Sequence, residues 1–91
     1  MSPDEKLAEI ANLIENMLKV NGEFISLDYS KVAGDFLSDE IVKKYRKQMQ
    51  CFRHASDEAV AQRAAYSKEQ KDFLIDFGIV ICKTINELKK R

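Results

Sequence analysis

The chain has 91 residues, 45% hydrophobic and 33% charged, with 15 Lys and Arg set against 15 Asp and Glu for a net charge of zero. That size holds one domain, residues 1–91, with a modest core, and the composition excludes a disordered chain. Zero net charge gives no global pull toward nucleic acid or an anionic membrane, and no apolar run reaches the ~20 residues of a membrane span.

Ser2-Pro3-Asp4-Glu5 opens the first helix. Ser2 is placed as the N-cap, Pro3 at the first helical position where its missing N–H costs nothing, and Glu5 closes a capping box. Leu7, Ile10, Ala11, Ile14, Met17 and Leu18 form one stripe, while Glu5, Glu9, Asn12, Glu15 and Asn16 form the wet face. Asn21-Gly22 reads as the turn past a helix end, so the helix is expected over 3–20. Met1 to Lys6 leads directly into this helix rather than into the apolar stretch of a signal peptide. Cys51 and Cys82 are expected as free thiols of a reducing compartment, so the default location is cytoplasmic.

Residues 23–28 are expected as an extended connector that lays Phe24 or Ile25 on the core. An internal repeat follows: Tyr29-Ser30-Lys31-Val32-Ala33-Gly34-Asp35-Phe36-Leu37-Ser38-Asp39 matches residues 66–76 at seven of eleven positions. Two copies are too few for a solenoid, but they mark helix starts at Ser30 and Ser67. From Ser30 a helical region extends to about Arg53, with Ile41, Val42, Tyr45, Met49 and Phe52 on one face. Val32 and Phe36 fall off that face. With Gly34 and the second cap Ser38, they predict a bend or short separate helix over 31–37. Ser56-Asp57-Glu58 then starts a small-residue helix containing Ala59, Val60, Ala61, Ala64 and Ala65.

The last helix, about Lys68 to Lys89, carries the most apolar stretch of the chain, and Ser67 with Gln70 forms its capping box. At 100° per residue, Phe73, Leu74, Phe77, Val80, Ile81, Ile85 and Leu88 share one broad face, and Ile75, Ile79 and Cys82 a second stripe. Only a narrow sector with Asp72, Asp76, Lys83 and Glu87 is polar, so this helix is expected to be covered from more than one side. Gly78, unfavourable by ~1 kcal/mol in a helix interior, would admit a close neighbour. The expected architecture is all-α: a small bundle of three long helices, or four to five shorter ones, which dimerisation could complete. Neither the first helix nor the 41–52 face is expected to reach Ile75, Ile79 and Cys82, where only the Ala-rich segment 59–65 or another chain could sit. Together with Gly78, these residues are the partner or homodimer interface candidates.

Candidate chemistry is sparse. Cys51-x-x-His54 with Glu58 offers at most three metal ligands and no second pair, so no metal or cofactor is expected. A single His with no nucleophile motif beside it, and three glycines with no phosphate loop, point away from catalysis. Asp72 and Asp76 are read as a solvated edge with Lys68 and Lys83 within helical reach. One basic cluster stands out, Lys43-Lys44-Tyr45-Arg46-Lys47. The segment 32–46, with a small residue, an apolar residue before a Ser cap and a Val-Lys pair, resembles the helix-turn-helix of bacterial response-regulator and quorum-sensing activators. It has one residue fewer between Ala33 and Ser38, and Gly34 lies inside its first helix. The resemblance implies a DNA-binding regulator with Lys43, Lys44 and Lys47 in the groove and Arg46 alongside. The first reading remains a small helical adaptor, inhibitor or regulatory subunit acting by protein contact, homodimeric, with DNA binding as the alternative.

Overall fold

The structure, a computed structural model, describes residues 1–91. Five α-helices make an all-α fold: α1 (Pro3–Leu18), α2 (Ser30–Ala33), α3 (Asp39–Met49), α4 (Asp57–Ala64) and α5 (Lys68–Lys89). Two 3₁₀ turns, Gly34–Phe36 and Gln50–Phe52, and a hairpin of β1 (Lys19–Val20) with β2 (Glu23–Phe24) complete it. Of the two forms anticipated, the one with shorter helices is found.

The starts of α1 and α5 follow their capping boxes, with Ser2 accepting from the Glu5 amide and Ser67 from the Gln70 amide, both at 3.1 Å. Ser38 and Ser56 cap α3 and α4 in the same way. Ser30, expected as a cap, is instead the first residue of α2. Its amide donates to Asp28 Oδ1 at 3.2 Å; the Ser30 hydroxyl, which donates to the same oxygen, is the chief cause that holds the Asp28 carboxyl below its ordinary range, with the amide contact adding to it. α2 lasts one turn because Gly34 enters the left half of φ space at φ +58°, which favours glycine. The bend expected over 31–37 is therefore a short helix followed by a 3₁₀ turn.

Helix α1 stops two residues earlier than expected. Asn21 and Gly22 have φ +53° and +82°, the two positive values of a type I′ turn, and they close a hairpin with Lys19 opposite Phe24. The hairpin folds back on its helix through Ile25 N–H donating to Leu18 C=O at 2.8 Å. Ile25 and Leu27 pack on the core, whereas Phe24 stays 49% exposed.

The core centres on α1 and α5, which make the largest contact in the molecule. Leu7, Ala11, Ile14 and Leu18 face Ile81 and Ile85, and Tyr29, Leu37, Val42, Tyr45, Met49, Cys51 and Phe52 close over them. The two helices run parallel. Asp4 pairs with Lys71 at 2.7 Å near one end, Ile10 lies on Gly78 in the middle, and Lys89 Nζ donates to Met17 C=O at 2.7 Å at the other end. α3 runs antiparallel to both, as its ties Arg46 to Glu15 and Arg53 to Asn12 show. It reaches α5 through Tyr45, whose hydroxyl donates to Leu74 C=O at 2.7 Å and whose ring meets Phe77 edge-on at 5.7 Å.

Gly78 is the condition for that contact. A Cβ built there would overlap Tyr45 Oη and Ile10 Cγ2 and stand 3.1 Å from Tyr45 Cζ. Gly78→Ala gains at most ~1 kcal/mol of helix propensity but pushes on Tyr45 and Ile10 at once, at a cost of about 2–3 kcal/mol, the upper part of the overpacking range. The variant is expected to unfold at lower urea concentration than wild type, and an equal or higher midpoint would contradict the packing.

All three tyrosines are held above their ordinary range, in each case first by burial. Tyr29, 1% exposed with no hydrogen-bond partner for its hydroxyl, is pushed up to about 12, with Asp39 adding to the effect. Tyr45 and Tyr66 rise too, assisted by Cys82 and Cys51. Since the native phenols ionise later than the unfolded value of 10, their stabilisation is complete below pH 10 and is lost as pH rises toward 12. Ultraviolet tyrosinate titration should therefore track alkaline unfolding, with urea-unfolded chain ionising near pH 10. Overlapping native and unfolded curves would contradict this.

Candidate interaction surfaces

The apolar arc of α5 is wider than the core can cover. Gly78, Ile81, Thr84 and Ile85 are buried, and Leu74, Ile75, Phe77, Cys82 and Leu88 are half-buried. Phe73, Val80 and Ile79 remain 65%, 52% and 41% exposed. The broad face expected to be buried, Phe73 to Leu88, is thus only partly so. The core direction lies between the two anticipated stripes, and an apolar flank emerges on each side.

On one flank, Ile75 and Ile79 lie against α1. With Ile10 and Leu13 they form the apolar floor of an open groove of about 520 Å³, with Lys6 and Glu9 on its rim. Two expectations are corrected here. Helix α1 does reach this stripe, because it runs parallel to α5 along its length. The Ala-rich helix α4 does not: only Ala59 is buried, and α4 packs on the Gln50–Phe52 turn. Gly78 is no interface residue, being filled by Tyr45 and Ile10, and Cys82 is half-buried with its thiol pushed up by burial. Ile75 and Ile79 stay at the surface, joined by Leu13, which is 49% exposed and was missing from the sequence candidates. Its signal was available, since it is the one Leu of α1 outside the buried stripe.

On the other flank, Phe73 stacks on Phe77 at 5.9 Å, beside Ile41 of α3, itself 37% exposed rather than on the buried face. The internal repeat bears on this side of α5. Leu37 is buried and Leu74 half-buried, while Phe36 and Phe73 are 89% and 65% exposed. Each copy turns its Leu inward and leaves its Phe outside, although one backbone is a broken turn and the other a continuous helix.

The basic cluster divides. Arg46 faces inward: its Nε and Nη2 donate to the two Glu15 carboxylate oxygens at 3.1 and 3.3 Å, and its guanidinium lies 4.3 Å from the Phe24 ring centre. Gln50 and Arg53 also reach Glu15 Oε1, so Glu15 leaves the wet face assigned to it. Arg46 is accordingly not free to meet nucleic acid. Lys43 pairs with Asp39 at 3.0 Å, and Lys44 and Lys47 are exposed with no ion-pair partner. The first helix of the helix-turn-helix resemblance is the single turn Ser30–Ala33, ended by Gly34, and so lacks the length to brace α3 on a duplex.

Cys51 is buried in its 3₁₀ turn, its thiol donating to Gln48 C=O at 3.4 Å and pushed up by burial. His54 and Glu58 are exposed, Arg63 donates to the carbonyls of Cys51 and His54, and no three His, Cys, Asp or Glu side chains gather as metal ligands. Asp72 pairs with Lys68 at 3.2 Å, as its spacing implied. No helix is long and apolar enough to cross a membrane. Comparison of the chain with protein-family models, with curated proteins and with solved structures gives no match in any of the three.

The Glu15 cluster joins α1, α3 and the hairpin with side chains only 13% and 16% exposed at Glu15 and Arg46. Glu15→Ala strands the guanidinium and is expected to lower stability by about 2 kcal/mol, the range of hydrogen bonds to charged groups. Lys43→Ala, which breaks an exposed pair, is expected to stay within about 0.5 kcal/mol of wild type. Equal urea midpoints for the two variants would remove the distinction.

Proposed function

We propose that the protein is a small helical interaction module that acts by surface contact and pairs with a second copy of itself through the α1/α5 flank. The observation that carries this reading is the groove floored by Ile10, Leu13, Ile75 and Ile79. Four aliphatic side chains converge there from two helices; Ile10 and Ile75 are half-buried, and Leu13 and Ile79 remain 49% and 41% exposed. The rim favours self-pairing. Lys6 and Glu9 place one cation and one carboxylate on the same rim, so a second copy meets both signs and no net repulsion, as an isologous interface permits.

The reading is non-enzymatic. His54 stands exposed on a turn, and the buried Cys51 thiol is held protonated rather than activated. Two free thiols suit the cytoplasm. DNA binding has less support, since Arg46 is bound to Glu15 and the helix before α3 is one turn long.

Sedimentation equilibrium tests the proposal. Wild type is expected to be dimeric at tens of micromolar, and Leu13→Asp with Ile79→Asp to be monomeric with an unchanged far-ultraviolet spectrum. Both positions are about half exposed, so the charges disturb the fold little. A wild type that stays monomeric at the highest concentration reached, or a double variant that stays dimeric, removes this interface.

A further inference from the structure

The seam between α3 and α5 is open on the flank away from the proposed dimer. Three depressions adjoin along it. One shares Lys44 and Gln48 with the next, and Phe73 and Leu74 belong to two of them, so they form one continuous groove. It follows α3 from Ile41 to Gln48, ~10 Å at the helical rise, and ends on Cys51 in the 3₁₀ turn beyond. Its two ends differ in chemistry. One is apolar, with Ile41 beside the stacked Phe73 and Phe77. The other holds Lys44 and Lys47 with the amides of Gln48, Gln62 and Gln70, and the depression on the α5 side adds one carboxylate, Glu69, so the groove carries two unpaired cations against one anion. Arg46 and Lys43 are neutralised within the molecule by Glu15 and Asp39, whereas Lys44 and Lys47 have no ion-pair partner.

We infer that this groove receives an acidic amphipathic helix of a partner protein, with apolar anchors over Phe73 and Phe77 and carboxylates on Lys44 and Lys47. A helix is the form that fits. The seam of two antiparallel helices takes a third as a ridge, and Phe73 and Phe77, one turn apart, match anchors spaced i and i+4. An extended peptide would need a sheet edge, and the only strands are two residues long. A nucleic acid would find two free cations, too few phosphate contacts for useful affinity. A second copy bound here would match two lysines against one carboxylate, Glu69, and leave cationic charge unpaired on each side. The inference rests on the interaction-module reading but uses none of the residues of the proposed dimer.

The test is selection from a displayed library of random helical peptides of about 16 residues against the immobilised wild-type protein. Enriched peptides are expected to pair apolar residues at i and i+4 with carboxylates one to two turns away. Their affinity should fall at least about tenfold with Phe73→Ala, and again with Lys44→Glu plus Lys47→Glu, and should weaken as salt rises. Peptides with lysine in place of the carboxylates should prefer the charge-reversed variant. All three side chains are exposed, and unchanged helical spectra of the variants confirm that folding is retained. No enrichment, enriched peptides without acidic bias, or affinities indifferent to both variants overturn the inference. Running the selection also on Leu13→Asp/Ile79→Asp separates the two sites. Acidic peptides retained by that variant support the groove whatever the oligomeric state, and peptides lost with it place the binding on the dimer flank and overturn the groove.

Discussion

The close approach of Tyr45 to Gly78 sets the geometry of this protein. The phenol ring occupies the place of a missing side chain, and its hydroxyl takes the Leu74 carbonyl, which the helix otherwise offers to Gly78's own amide. Ile10 leans on the same glycine from α1. One residue thus receives both neighbouring helices, and the core of α5 is centred on Gly78, Ile81 and Ile85. Had a larger side chain stood there, both helices would be held off, and the residues now half-buried beside it would have no cover.

The surface follows from that centring. An apolar arc facing a core fixed at its middle shows both margins to solvent. Ile75 and Ile79 emerge beside α1, and Phe73 and Phe77 emerge beside α3. The two margins differ in what surrounds them. Lys6 and Glu9 give one flank charges of both signs, and Lys44 and Lys47 give the other an excess of one sign. The self-pairing proposed for one side and the acidic helix proposed for the other both rest on this difference.

Local chemistry made much of this legible. Ser2, Ser38, Ser56 and Ser67 mark helix starts because a side-chain oxygen satisfying a backbone amide is a contact within four residues. Asn21-Gly22 reads as a helix end, yet the same two residues close a hairpin, because both take positive φ and strands pair on either side of them. Where the outcome depended on distant partners, the pattern was insufficient. Glu15 lies on the polar side of α1, and only the arrival of Arg46, Gln50 and Arg53 from α3 and its following turn makes it a half-buried anchor. The split of the α5 face was likewise set by the direction from which α1 approaches. The basic cluster looked uniform in sequence, yet Arg46 and its lysine neighbours point in different directions around the helix.

The parallel pairing of α1 and α5 also bears on how the chain folds. The contacts that complete the core join residues as much as 72 positions apart, as in Lys89 to Met17. Sequence separation of this order slows the search for native contacts well below that of an up-and-down bundle of the same length, in which neighbours in sequence pack first. On the ribosome, the apolar stripe of α1 is made early, α3 and the turn after it offer only part of its cover, and its largest partner, α5, emerges last. Until then Leu7, Ile14 and Leu18 are incompletely covered, which makes the half-finished chain more prone to aggregate than the finished one.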